Sequence, residues 1–122
     1  MMMMRGVRGA TIANDNTEAD ILEATEELLL AMIEANGMQQ DEVCSILFTT
    51  SPDLTACYPA KAARNIGWAR TALLGFQEMA VPTGTPLCVR VLIHWNTAKG
   101  LNEIEHVYLR DAVQLRPDLA RA

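Results

Sequence analysis

Arg90 stands in the middle of an apolar run, Leu87-Cys88-Val89-Arg90-Val91-Leu92-Ile93. Alternation there puts Val89, Val91 and Ile93 on one face and Cys88, Arg90 and Leu92 on the other. A guanidinium keeps its proton, so burying one calls for an acidic partner or an anionic ligand. The same local pattern is equally met by an arginine whose stem lies on apolar surface while its head reaches water. Arg8 lies between Gly6 and Gly9, where missing side chains permit close approach of backbone and ligand. A solvated strand end is the plainer reading. Lys61 and Arg64 are three apart, hence on one face of any helix, a pair that suits an anion or simply faces water. Glu78 follows a strand and could orient a hydroxyl group or pair with an arginine. Tyr108 is strand-borne and could offer its hydroxyl to an anion or only pack. Arg110, Arg116 and Arg121 add positive charge near the end of the chain, and Arg116 is held extended by Pro117.

Other catalytic chemistries leave no mark. No glycine-rich loop has P-loop or dinucleotide spacing, and no Gly-x-Ser-x-Gly elbow occurs. His94 and His106, the two histidines, lie in no metal-ligand spacing with a further His or Cys. No His/Cys/Asp set suggests a hydrolase. Several arginines, one carboxylate and one phenol remain. Such a set binds a small organic polyanion and acts on it electrostatically rather than covalently.

The elements that must position these groups follow from the pattern. Residues 2–12 read as a first strand. Thr17 with Asp20 resembles a capping box and opens a helix reaching about Ala35. Ile21, Thr25, Leu28 and Met32 share its apolar face, widened by Leu22, Leu29 and Ile33. Asn36-Gly37 stops it. Val43 to Thr50 is a second strand. Pro59 to Ile66 is a short helix with proline in its first turn. Thr71 to Phe76 is a third strand, weakened by Gly75. Leu87 to Trp95 is the strongest strand, apolar on both faces. Glu105 to Leu109 is a fifth, and Ala112 to Leu115 a helical turn. The order β-α-β-α-β-β-β predicts an α+β fold, a mixed five-stranded sheet packed on one long helix plus short helices.

Composition narrows the class. The 122 residues are 50% hydrophobic, which fits one domain over 1–122. The net charge of -5 does not suit nucleic acid or an anionic membrane, which reward a basic face. Acidic residues crowd into 15–42, whereas the arginines are islands in apolar or turn-like segments. Three cysteines without CxxC spacing point away from a disulfide framework and towards a reducing compartment. The start, MMMMRGVRG, lacks a signal-peptide apolar run, and no stretch approaches the ~20 apolar residues of a membrane span. A cytoplasmic protein is expected.

These residues also resemble a family, the monofunctional bacterial chorismate mutases of the trimeric pseudo-α/β-barrel type. The markers are Arg5-Gly6-Val7-Arg8-Gly9-Ala10-Thr11, Ser51-Pro52-Asp53-Leu54 and Tyr58-Pro59-Ala60-Lys61-Ala62-Ala63-Arg64. Gln77-Glu78-Met79, Val89-Arg90-Val91, His106-Val107-Tyr108-Leu109-Arg110 and Leu115-Arg116-Pro117-Asp118-Leu119 complete them. Each is weak alone; their order and spacing over Arg5 to Leu119 are specific.

The resemblance implies a homotrimer with sites between subunits, converting chorismate to prephenate without cofactor or metal. It implies that Arg90 donates to the ether oxygen, that Arg8 and Tyr108 hold the side-chain carboxylate, and that Glu78 accepts from the ring hydroxyl. Tyr58, Ala60, Lys61 and Arg64 come from the neighbouring subunit, and Leu115 and Arg116 help close the site. Leu74 and Gly75 complete the implied binding residues. Gly75 departs from the pattern: relatives usually carry a small polar side chain there, so only its backbone can serve the hydroxyl. The segment Ile66 to Arg70 is one residue shorter than in some relatives. In such a trimer the second apolar face of the strands is buried between sheets. A different class, a non-catalytic trimer that binds a carboxylated metabolite, is expected to have lost Arg90 or Glu78. A similar barrel acting on imines or enamines has no visible markers here.

Overall fold

A computed structural model describes residues 2–116. Pro117, Asp118, Leu119 and Arg121 lie outside the described residues. Thr17 starts the long helix α1 (Glu18–Asn36): its backbone is extended and its hydroxyl accepts the Asp20 N–H at 3.1 Å. Glu18 and Asp20 in the first turn suit the positive helix terminus. Gly37 ends it in the left-handed conformation (φ 71°), donating to the Ile33 carbonyl at 2.8 Å. Ile21, Thr25, Leu28 and Met32, expected on one face, are all buried. The Thr25 hydroxyl donates to the Ile21 carbonyl at 2.7 Å, so its polarity is satisfied inside the core.

Five strands form one mixed sheet: β1 (Met3–Ile12), β2 (Val43–Thr50), β3 (Ala72–Gln77), β4 (Cys88–Thr97) and β5 (Val107–Tyr108). Their order is β3-β2-β4-β1-β5. The β1–β4 and β2–β4 pairs are antiparallel, and the β2–β3 and β1–β5 pairs parallel. The short helix α2 (Lys61–Asn65) packs beside α1 and buries Ala62 and Ala63. This is the expected α+β sheet on one long helix.

Val7, Ile46, Phe48, Val89, Val91, Ile93 and Trp95 form the buried sheet layer. Gly9 belongs to that layer by necessity. A Cβ there would collide with Met32 Sδ and lie 3.1 Å from Leu28 Cδ1, so glycine lets α1 cross β1 this closely without displacing the Met32 side chain. The opposite face carries Arg8, Ala10, Leu47, Thr49, Arg90 and Leu92 in register. On it Leu74 and Phe76 are 56% and 49% exposed.

Element ends differ from the pattern reading for local reasons. The fifth strand shrinks to two residues because the Glu105 N–H turns away to the Asn36 side chain (2.9 Å), and because Arg110 takes positive φ (54°). Arg110 is also an anchor. It donates to the Ile12 carbonyl at 2.9 Å and to Glu27 at 3.3 Å, with Glu23 at 3.8 Å. The 3-10 segment Arg110–Leu115 that it opens extends the helical turn expected over 112–115. Short 3-10 turns at Gln40–Glu42 and Leu101–Glu103 escaped the pattern reading, since three residues carry no periodicity.

Candidate active site

The sheet register brings the chemistry together. Arg90 is the third residue of β4, flanked by Ala10 on β1 and Thr49 on β2. Arg8 is two pairs further along β1, on the same face and opposite Leu92, and Tyr108 on β5 pairs with Ala10. Glu78 follows β3, and its N–H donates to the Thr50 carbonyl at 2.8 Å. That bond prolongs the β2–β3 ladder by one residue and aims the carboxylate at β4. The Arg90 guanidinium lies 3.5 Å from Glu78 Oε1. This exposed pair is a positioning contact more than a source of stability.

Arg8, Glu78, Arg90 and Tyr108 line one cleft of about 260 Å³, with Leu47, Phe76 and Leu92 as apolar wall. A second cleft of about 380 Å³ shares Thr49, Glu78 and Arg90 and runs under Met79, Val81 and Pro86. The Arg90–Glu78 pair therefore partitions one continuous groove. Cys88 is buried at its base. Burial pushes its thiol pKa up, against the lowering effect of Arg90, so the group stays a neutral thiol beside the guanidinium.

The other expected residues form a separate group. Tyr58 is 82% exposed and lines a different depression with Lys61, Arg64 and Cys57. Lys61 has a carboxylate partner, Glu18, at 3.2 Å. Ala60 packs half-buried against the core. Gly75 shares a shallow depression with Tyr58, Ser51 and Phe76, and a Cβ there would meet nothing within 4 Å. Leu74 is exposed on the Arg90 face without lining the Arg90 cleft. Leu115 and Arg116 are half-buried at the end of the 3-10 segment. Within one chain Arg8, Glu78, Arg90 and Tyr108 thus make one partial surface and Tyr58, Lys61 and Arg64 another; Arg116 stands on the Arg8 side, near His106.

Residues missed in the sequence include Phe76, Leu47 and Thr49, which alternation places on the Arg90 face once the pairing is known. Ser51 and Asp53 stand out in the sequence only within the marker Ser51-Pro52-Asp53-Leu54, with no role attached. Their side chains hold the start of β4. His106 was read as a non-ligand; its Nδ1 accepts the Arg8 backbone N–H at 3.0 Å. Among the described residues no group of three or more His, Cys, Asp or Glu could hold a metal ion.

The family model for chorismate mutase type I matches residues 4–119. The chain belongs to this family. It is 49% identical over 121 residues to chorismate mutase AroH of Thermus thermophilus, covering 98% of this chain and 99% of that one. It is 42% identical over 120 residues to chorismate mutase AroH of Bacillus subtilis (strain 168), covering 98% and 94%. Among solved structures, a chorismate mutase from Clostridium thermocellum superposes with a TM-score of 0.87 at 46% identity, covering 88% of this chain and 96% of that one. The arginine-lined groove and the five-stranded sheet are thus features of a chorismate mutase type I chain. No described helix is long and apolar enough to cross a membrane.

Proposed function

We propose that the protein is a chorismate mutase, converting chorismate to prephenate in aromatic amino acid biosynthesis in the cytoplasm. The observation that carries this reading is Arg90, set mid-sheet beside Glu78 in a cleft it shares with Arg8 and Tyr108. In the rearrangement the ether C–O bond breaks as a C–C bond forms between the enolpyruvyl methylene and the ring. No proton is transferred, no nucleophile is needed, and no cofactor takes part. Negative charge gathers on the ether oxygen in the transition state. Arg90 donates to that oxygen and to a neighbouring carboxylate. A donor already in place stabilises the charge without reorganising, worth roughly 3–4 kcal/mol. Arg8 and Tyr108 hold the side-chain carboxylate and Glu78 accepts from the ring hydroxyl. Fixing the flexible ether over the ring contributes by orientation.

The working unit is a homotrimer with each site built from two chains. Support comes from the two partial surfaces and from the exposed Leu74 and Phe76. The Arg90 cleft of one chain faces Tyr58, Ala60, Lys61 and Arg64 of its neighbour. Leu74 and Gly75 lie at that junction, and Gly75 serves the hydroxyl through its backbone. Leu115 and Arg116 close the site. The test is the ultraviolet absorbance of chorismate with the purified protein and an Arg90→Ala control. Loss of the chorismate signal, appearance of prephenate and a silent control are expected. A folded trimer without turnover would instead mark a metabolite-binding relative.

A further inference from the structure

We propose that His106 is a positioning residue for Arg8: its Nδ1 accepts the Arg8 backbone N–H and holds the part of β1 from which the Arg8 side chain enters the cleft. The proposal rests on the functional reading above. Strands β1 and β5 pair over only two residues, Gly9 with Val107 and Ala10 with Tyr108. The Arg8 N–H points to the β5 side with no backbone acceptor. The His106 ring fills that place at 3.0 Å. A side chain thus extends the ladder by one bond, next to a residue assigned to bind substrate.

The contact has a chemical condition. Nδ1 accepts only when it carries no proton, so the ring is neutral with its proton on Nε2. Burial, Arg8 on β1 and Arg116 at the end of the 3-10 segment all lower the His106 pKa below its ordinary value of 6.5. The site therefore selects the form that can accept. The same two arginines that favour a neutral ring are assigned to bind and enclose the substrate, so His106 also lets two cations from different elements stand near one point. Protonation would remove the acceptor and add a third charge between them.

A residue that sets the place of a substrate-binding arginine affects ground state and transition state alike, so its loss raises KM more than it lowers kcat. We expect His106→Ala to raise KM for chorismate by roughly three- to tenfold, with kcat changed by less than about threefold. His106→Asn keeps an acceptor oxygen near the Nδ1 position and cannot be protonated. It should restore most of the wild-type KM and lack the rise in KM that the wild type shows on acidification below the lowered histidine pKa.

A His106→Ala protein with wild-type KM would overturn the proposal. So would His106→Asn behaving like His106→Ala, because the ring would then act by packing. Amide hydrogen exchange of Arg8 in the wild type gives a readout free of turnover and of variant folding. Protection at neutral pH that falls as the histidine protonates is expected, and an unprotected Arg8 amide would refute the contact. Wild type inactive on chorismate but with a protected Arg8 amide would sink the functional reading and leave the contact standing.

Discussion

Asp53 accepts the backbone N–H of Leu87 at 2.9 Å, so the loop after β2 holds the residue from which β4 starts. Leu87 has positive φ (55°), a strained setting for a branched side chain that needs such support. The Ser51 hydroxyl donates to the other oxygen of Asp53 and accepts the Cys88 N–H at 2.9 Å. Arg90 is two residues further on. The Ser51 hydroxyl, opposed by partial burial and helped by the Leu87 N–H, holds the Asp53 carboxyl below its ordinary pKa of 3.8.

A carboxyl whose folded pKa is depressed contributes stability above its unfolded pKa and loses it as the pH falls through the folded value. We expect Asp53→Ala to destabilise the protein by about 1 kcal/mol at neutral pH, the worth of an exposed charged hydrogen bond or two. The gap between variant and wild type should close in acid below the carboxylate range. Thermal melts at neutral pH and in strong acid check this. A gap unchanged in acid would mean that the charge plays no part.

Arg90→Lys should lower kcat by roughly a hundredfold or more and leave the melting temperature nearly unchanged. Lysine keeps the charge but not the planar fork that serves two acceptors at once. Steady-state kinetics and circular dichroism decide the matter. A variant within about tenfold of wild type would remove Arg90 from its assigned place.

Arg90→Ala and Arg64→Ala should each be inactive alone and regain activity when unfolded together and reassembled. If each site takes Arg90 from one chain and Arg64 from the next, about one quarter of the sites in a random mixed trimer are intact. Recovery near that fraction, with a trimer by light scattering, is expected. No recovery would put both arginines in one chain's site, and a stable active monomer would remove the shared site altogether.

Gly9→Ala should cost about 1–3 kcal/mol, because the new methyl collides with Met32 in a fully packed core. Met32→Ala made in the same chain should recover part of the loss by making room. Chemical denaturation of the single and double variants checks the coupling. Independent, additive losses would show that α1 does not press on β1 there.

Long elements were legible because their signals are redundant. The helix from Thr17 had a cap, an acidic first turn, an apolar stripe and a terminal Gly37, all agreeing. Strand β4 was legible from its β-branched run, and Arg90 stood out as the one charge inside it. Pairing was not legible. Only the register Ala10–Arg90–Thr49 reveals that Arg8, Tyr108 and Glu78 meet around Arg90, since those contacts join residues far apart in the chain. The family resemblance, rather than any local pattern, supplied that grouping. His106 and Asp53 remained hidden because a single hydrogen bond to a distant backbone amide leaves no trace in spacing.

Arg110, moored to Ile12, Glu23 and Glu27, sets the length of a leash. Arg116 lies six residues beyond that mooring, so its Cα stays within about 20 Å of it even if the segment is drawn fully straight. Cutting the mooring would not remove Arg116. It would pay out slack back to β5 and enlarge the volume that the guanidinium explores, diluting it beside His106. The acidic first half of α1, which complements its own helix terminus, thereby also serves as the dock for a different part of the chain.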